Sequence, residues 1–189
     1  MRAWARVGDG IDSLVERLFR WDKRMVATLS GNPALRRLSP LFLTATILGD
    51  GYIWGGLGLG LILFGRPIDR VNVLIGLAVS IVNVATFRFL KLVFARARPI
   101  PVEDALRSRL IDTYSFPSGH ATTSFGLAWV AVTSYPHPLV GVGIYLLASL
   151  ISFSRVFVRE HYPLDVLFGA VLGSLIAAYI VPFLRWLTF

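Results

Sequence analysis

Three short segments of this chain carry cations, imidazoles and a carboxylate that an apolar sequence has no structural need for. They are Lys91-Leu-Val-Phe-Ala-Arg-Ala-Arg98-Pro99, then Pro117-Ser118-Gly119-His120, then Ser154-Arg155 followed by His161 and Asp165. Lys91, Arg98 and Arg155 offer positive charge for a phosphate. His120 and His161 offer a nucleophile and a proton donor, and Asp165 offers a partner for one of them. Phosphoryl transfer asks mainly for positioning and charge stabilisation, and fixed cations supply both.

Each residue also has a plainer reading. Lys91 and Arg98 lie two helical turns apart and share a face if the helix persists to Pro99, which stops it. Lys91 fits a cation snorkelling to a membrane edge equally well, and Arg88 and Arg96 are read that way. Ser118 is a good N-cap for a helix opening after Pro117. Gly119 would let an anionic oxygen approach the first amides, where the helix dipole favours it, but a structural cap uses the same residues. Pro163 suits the first turn of the last helix, so His161 lies just ahead of it and Asp165 inside that turn. Asp165 there either stabilises the helix dipole or holds the Nδ1–H of His161 and leaves Nε2 bare and nucleophilic. Arg155 brings a forked guanidinium suited to phosphate oxygens, while Ser154 either helps through its hydroxyl or packs. His137 sits in a proline-flanked turn on the opposite side and reads as an exposed loop histidine.

The elements that must position these groups are apolar. The 189 residues are 55% hydrophobic and 16% charged, with a mean hydropathy of +0.66. About 20 apolar residues cross a bilayer core, and several stretches approach that length. The expected fold is all-α: a polytopic membrane helical bundle of five to six membrane-embedded helices plus an N-terminal amphipathic helix. It forms a single membrane domain over 1–189, with an arm at 1–32 and the bundle at 33–189. The net charge of +8 would suggest nucleic acid in a soluble protein. Here the basic residues lie in the arm, between apolar runs or in the motifs, which fits lipid headgroups and cytoplasmic loops, so no nucleic-acid partner is expected. The absence of cysteine excludes a disulfide, a thiolate nucleophile and a cysteine-ligated metal. Without clustered carboxylates a two-metal site is not expected either, and no cofactor is called for. The N-terminus lacks the order of a cleaved signal peptide, so insertion is expected to rely on the spans.

Along the chain, residues 11–29 read as an amphipathic helix in the interface, with Trp21 as an anchor. Residues 34–64 are interrupted at Gly49-Asp50-Gly51 and form one bent span, a re-entrant piece plus a span, or two short passes. Helices follow over 71–94, 118–134, 139–153 and 163–187. Residues 100–116 are polar and irregular; Glu103, Asp104, Arg107 and Arg109 there border the expected mouth and are candidates for head-group selection. The glycines at 51, 55, 56, 58 and 60 lack a phosphate-loop pattern and read as close helix packing, as does the stripe Gly169, Gly173 and Ala177. Threading these spans back and forth brings all three motifs to one membrane face.

With their spacings, the three motifs resemble the tripartite signature of the type 2 phosphatidic acid phosphatase superfamily. That group holds integral-membrane lipid phosphate phosphatases and, with a related pocket, soluble vanadium-dependent haloperoxidases. The resemblance covers residues 91–165. It implies that His161 attacks phosphorus and becomes a phosphohistidine, that Asp165 orients it, and that His120 protonates the leaving oxygen and later activates water. Lys91, Arg98, Arg155, Ser118 and the amides near Gly119 would hold the phosphoryl oxygens. The implied enzyme is a metal-independent lipid phosphatase acting on a substrate such as undecaprenyl diphosphate, phosphatidylglycerophosphate or phosphatidic acid. A phosphotransferase using the same pocket and a non-catalytic anion-binding transporter are the alternatives. Resemblance to bacterial members implies the inner membrane, with the pocket facing the periplasm or exterior. Arg66, Arg70 and Arg185 on the other side agree, favouring that side as cytoplasmic.

Overall fold

A computed structural model describes the backbone of residues 2–100 and 113–188, with side chains from residue 12 onward. The expectation placed on Glu103, Asp104, Arg107 and Arg109 therefore lies outside the described residues. The described residues form eight helices: α1 (Arg2–Gly31), α2 (Pro33–Arg36), α3 (Ser39–Leu48), α4 (Tyr52–Phe64), α5 (Pro67–Phe94), α6 (Gly119–Ser134), α7 (Pro138–Phe157) and α8 (Pro163–Thr188). Prolines open five of them at the first or second position, where a missing N–H costs nothing.

The protein is an all-helical membrane protein. α5, α7 and α8 are each long and apolar enough to cross a bilayer, and α3 with α4 makes a fourth candidate span, bent by 57° at Gly49–Gly51. Leu74, Ile81, Leu146, Leu167, Val171 and Phe183 are all exposed, as lipid-facing residues are when tails rather than water surround the bundle. α6, at 16 residues or roughly 24 Å, is the central helix and packs against α5, α7 and α8.

Small residues decide how close these helices come. On α8 a Cβ at Gly173 would lie 1.9 Å from the Thr122 carbonyl oxygen of α6, and one at Gly169 would lie 2.6 Å from that of Ser118. The stripe is thus a backbone-to-backbone contact, as its spacing predicts. The α4 glycines behave differently. Gly55, Gly56 and Gly60 have nothing within 4 Å of a built Cβ, and Gly58 meets only Val73 at 3.6 Å. Instead of closing the bundle, Gly51, Gly55 and Gly58 wall a cavity of about 1230 Å³ between α4, α5 and α6. Trp54 spans the gap, its Nε1 donating to Ser124 Oγ at 3.1 Å. At the other end of the bundle Ile75, Val79, Val130, Ala177 and Val181 form an apolar core.

Candidate active site

Helix α5 stops at Phe94, because Ala95 takes a left-handed conformation with φ 45°. Lys91 and Arg98 therefore do not share a helix face; the turn at Ala95 redirects the chain, and Arg98 enters from an extended stretch. Both are nevertheless buried, so neither snorkels. Lys91 Nζ donates to the Tyr114 carbonyl at 2.6 Å. The stretch is pinned by the Ser115 amide donating to the Arg96 carbonyl at 2.8 Å and by Ser115 Oγ donating to that of Ala97 at 3.1 Å. Arg88 is exposed, as an interfacial cation should be.

Ser118 caps α6, its side chain accepting from the Ala121 amide at 3.5 Å. Its own amide donates to the Asp165 carbonyl at 3.0 Å, which ties the start of α6 to the start of α8. Gly119 has a packing role as well, since a Cβ there would meet the Phe87 ring at 2.9 Å. His120 follows in the first turn, with Nε2 2.9 Å from Oδ1 of Asp50 at the α3–α4 bend.

Helix α7 continues to Phe157, four residues past the expected end, because the apolar run is extended by Arg155 turning inward. Arg155 Nη1 donates to Thr46 Oγ1 at 2.8 Å, and Nη2 donates to Glu160 Oε2 at 2.6 Å. The same carboxylate oxygen pairs with Arg98. Ser154 Oγ donates back to the Ile151 carbonyl at 2.7 Å, so Ser154 is structural.

His161 is buried, 1% exposed, in the short loop before α8, its amide donating to the Arg155 carbonyl at 3.2 Å. Its Nδ1 lies 3.7 Å from Asp165 Oδ2 and makes no hydrogen bond. The expected pair is adjacent but open, because the Tyr162 amide donates to Oδ2 at 2.8 Å and Arg96 donates to Oδ1 at 2.5 Å. Burial, followed by the charges of Lys91, Arg155, Arg98 and His120, holds the His161 imidazole well below the ordinary histidine range. A neutral imidazole among cations is poised to attack an anion those cations bind. His137, by contrast, is exposed at the far side and caps α7, Nδ1 accepting from the Leu139 amide at 3.3 Å.

The structure thus gathers His120, His161, Asp165, Lys91, Arg98, Ser118 and Arg155 at one end of the bundle. It adds four residues that motif reading passed over. Glu160 and Asp50 carry charge into the site. Arg96, read as an interfacial cation, instead binds Asp165 and the buried Asp22 of α1. A carboxylate inside the third motif, next to His161, was a usable signal for Glu160. Nothing local pointed to Asp22.

The cavity meets this site at Asp50, Lys91 and His120 and runs to Tyr135, Val140 and Ile144 at the opposite end, with mostly apolar walls. Comparison with known proteins agrees with the geometry. The chain is 33% identical over 157 residues to the undecaprenyl-diphosphatase of Sulfolobus acidocaldarius, a match covering 80% of this chain and 69% of that protein. It is 31% identical over 124 residues to the undecaprenyl-diphosphatase BcrC of Bacillus subtilis, covering 65% of this chain and 60% of the relative. Its fold is like the crystal structure of a transmembrane PAP2 type phosphatidylglycerolphosphate phosphatase from Bacillus subtilis. There the TM-score is 0.69 at 24% identity, over 88% of this chain and 86% of the other. The family profile of the PAP2 superfamily matches residues 71–189, a stretch that contains all three motifs, and the chain belongs to that superfamily.

Proposed function

We propose that this chain is a membrane lipid phosphatase that hydrolyses a phosphate monoester or diphosphate of a lipid through a phosphohistidine. One observation carries the reading. A buried neutral imidazole, His161, stands among Lys91, Arg98, Arg155 and His120, at the end of the bundle where an apolar cavity reaches Lys91 and His120. The cavity takes the start of the lipid tail, and the cations with Ser118 and the amides near Gly119 take the phosphoryl oxygens. Nε2 of His161 attacks phosphorus, and Asp165 steadies the charge that develops on the ring. His120 gives its proton to the leaving oxygen as the phosphorus–oxygen bond breaks. His120 then takes a proton from water. The hydroxyl joins phosphorus, the phosphorus–nitrogen bond breaks, and inorganic phosphate leaves His161 as it began.

The likeness to two undecaprenyl-diphosphatases favours a polyprenyl diphosphate as substrate. In this reading α3 to α8 form six membrane-embedded helices, with α3 and α4 as a bent pair, and residues 1–32 form an arm on the same single domain. The site faces the periplasm or exterior of an inner membrane, with Arg66, Arg70 and Arg185 toward the cytoplasm. The test is phosphate release in detergent with acid-quench trapping of the phosphoenzyme. His161→Ala should abolish both turnover and the acid-labile phosphoenzyme, whereas His120→Ala should accumulate the latter. A His161→Ala variant that still forms phosphohistidine would overturn the assignment, and products phosphorylated on an added acceptor would make it a phosphotransferase.

A further inference from the structure

The catalytic steps above leave one buried charge cluster unused. Arg96 joins two carboxylates that are both fully buried: Nη1 reaches Asp165 Oδ1 at 2.5 Å and Nη2 reaches Asp22 Oδ2 at 2.6 Å. Its guanidinium lies over the Tyr162 ring at 4.1 Å and the Phe19 ring at 4.9 Å from the centroids. Asp22 also accepts from the Leu164 amide at 3.0 Å through its other oxygen.

We propose that Arg96 and Asp22 are positioning residues for the His161–Asp165 pair, so that helix α1 is a working part of the site. The proposal rests on the reading of His161 as nucleophile. Two buried carboxylates close together repel, and each needs a cation to stay charged. Arg96 serves both through its rigid fork, a geometry a lysine cannot copy. Tyr162 is the neighbour of His161, and its amide is the donor to Asp165 Oδ2. Arg96 therefore grips the nucleophile's surroundings twice, through the Asp165 carboxylate and through the Tyr162 ring. Asp22 acts as an N-cap for α8 supplied from another helix, since Leu164 lies in the first turn, where amides lack intrahelical acceptors.

This network bears on the one distance that must change. The 3.7 Å between His161 Nδ1 and Asp165 Oδ2 has to shorten for the carboxylate to steady a phosphohistidine. Arg96 and the start of α8 set where Asp165 stands when it does. Asp22 is delivered by α1, whose Leu14, Val15, Leu18, Phe19 and Trp21 are exposed and alternate with Arg17, Arg20, Lys23 and Arg24. That composition suits a helix lying among anionic headgroups. The seat of α1 at the bilayer surface thereby fixes a contact of the catalytic carboxylate.

The experiment compares the full chain with Asp22→Asn, Arg96→Lys and Arg96→Ala, using short-chain phosphatidic acid in detergent micelles. Thermal unfolding is followed in parallel. The expected result is a fall in kcat, on the order of a hundredfold for Arg96→Ala and smaller for the other two. KM should stay within about twofold, and the rate of phosphohistidine formation should fall in step with kcat. Guanidinium ion should restore part of the Arg96→Ala activity. Should Arg96→Ala fail to fold, Asp22→Asn and Arg96→Lys decide the matter. Wild-type kcat in the folded variants, or a loss appearing only in KM, overturns the proposal. A His161→Ala variant that still forms phosphoenzyme sinks the nucleophile reading instead, and the two failures are told apart in the same assay.

Discussion

Replacing Gly173 by alanine tests whether the contact between α6 and α8 sets the active-site geometry. A Cβ at that position would sit 1.9 Å from the Thr122 carbonyl oxygen and 2.7 Å from its carbon, where real Cβ atoms stay beyond 3.0 Å. The obstacle is backbone, so no rotamer change relieves it, and the two helices must part by roughly 1 Å. Overpacking of this kind typically costs about 1–3 kcal/mol. The rate should fall as well, because α6 opens with Ser118 and His120 while α8 opens with Asp165. The two ends are joined by the Ser118 amide donating to the Asp165 carbonyl at 3.0 Å. Misplacing reacting groups by about 1 Å can lower a rate on the order of a hundredfold. The assay is thermal unfolding of the purified protein alongside kcat/KM, with Gly56→Ala as the control. Gly56 has nothing within 4 Å, so alanine there should leave activity intact and add up to about 1 kcal/mol of stability through helix propensity. Wild-type stability and activity in Gly173→Ala, or equal losses in the two variants, would refute the reasoning.

The lowered His161 titration predicts that the acid limb of kcat/KM falls below pH ~6.5, the ordinary histidine value. As pH rises the folded chain gives up this proton first, so the unfolded state binds more protons between the lowered value and ~6.5. Stability should climb with pH across that window and fall as pH drops through it. Glu160→Gln removes the carboxylate that engages both Arg98 and Arg155, and should tighten inhibition by inorganic phosphate about tenfold; weaker inhibition would mean that Glu160 organises the arginines instead of occupying their place. Gly55→Leu, which fills the cavity wall, should raise KM for a long-chain lipid phosphate and spare a short-chain one, as a titration of chain length would show. Activity of the purified protein should survive prolonged chelation, measured as phosphate release before and after treatment.

Helix type and order were legible because long apolar runs, opening prolines and the Ser118 cap are local signals. So was the convergence of the motifs, which follows from alternating spans. Two failures have a common physical cause. Glycine serves equally for close approach and for open space, so the α4 and α8 glycines look alike in sequence yet pack oppositely. Arg96 likewise has the spacing of an interfacial cation, and only a partner 74 residues away turns it inward. The helix end at Phe94 was legible from the basic, proline-terminated run after it, whereas the left-handed turn at Ala95 was not, because a left-handed alanine carries no compositional mark.

The burial of His161 behind a cavity lined by His120 and Lys91 has a kinetic corollary. In the proposed phosphohistidine cycle, the cavity end at His120 and Lys91 that the departing lipid product vacates is a route by which water reaches the ring. That proposed cycle sheds its two products in a fixed sequence, lipid first and orthophosphate last, as in a ping-pong cycle whose second acceptor is solvent. Orthophosphate should then compete with fresh substrate for the resting enzyme, while the lipid product, until it departs, holds the door against hydrolysis.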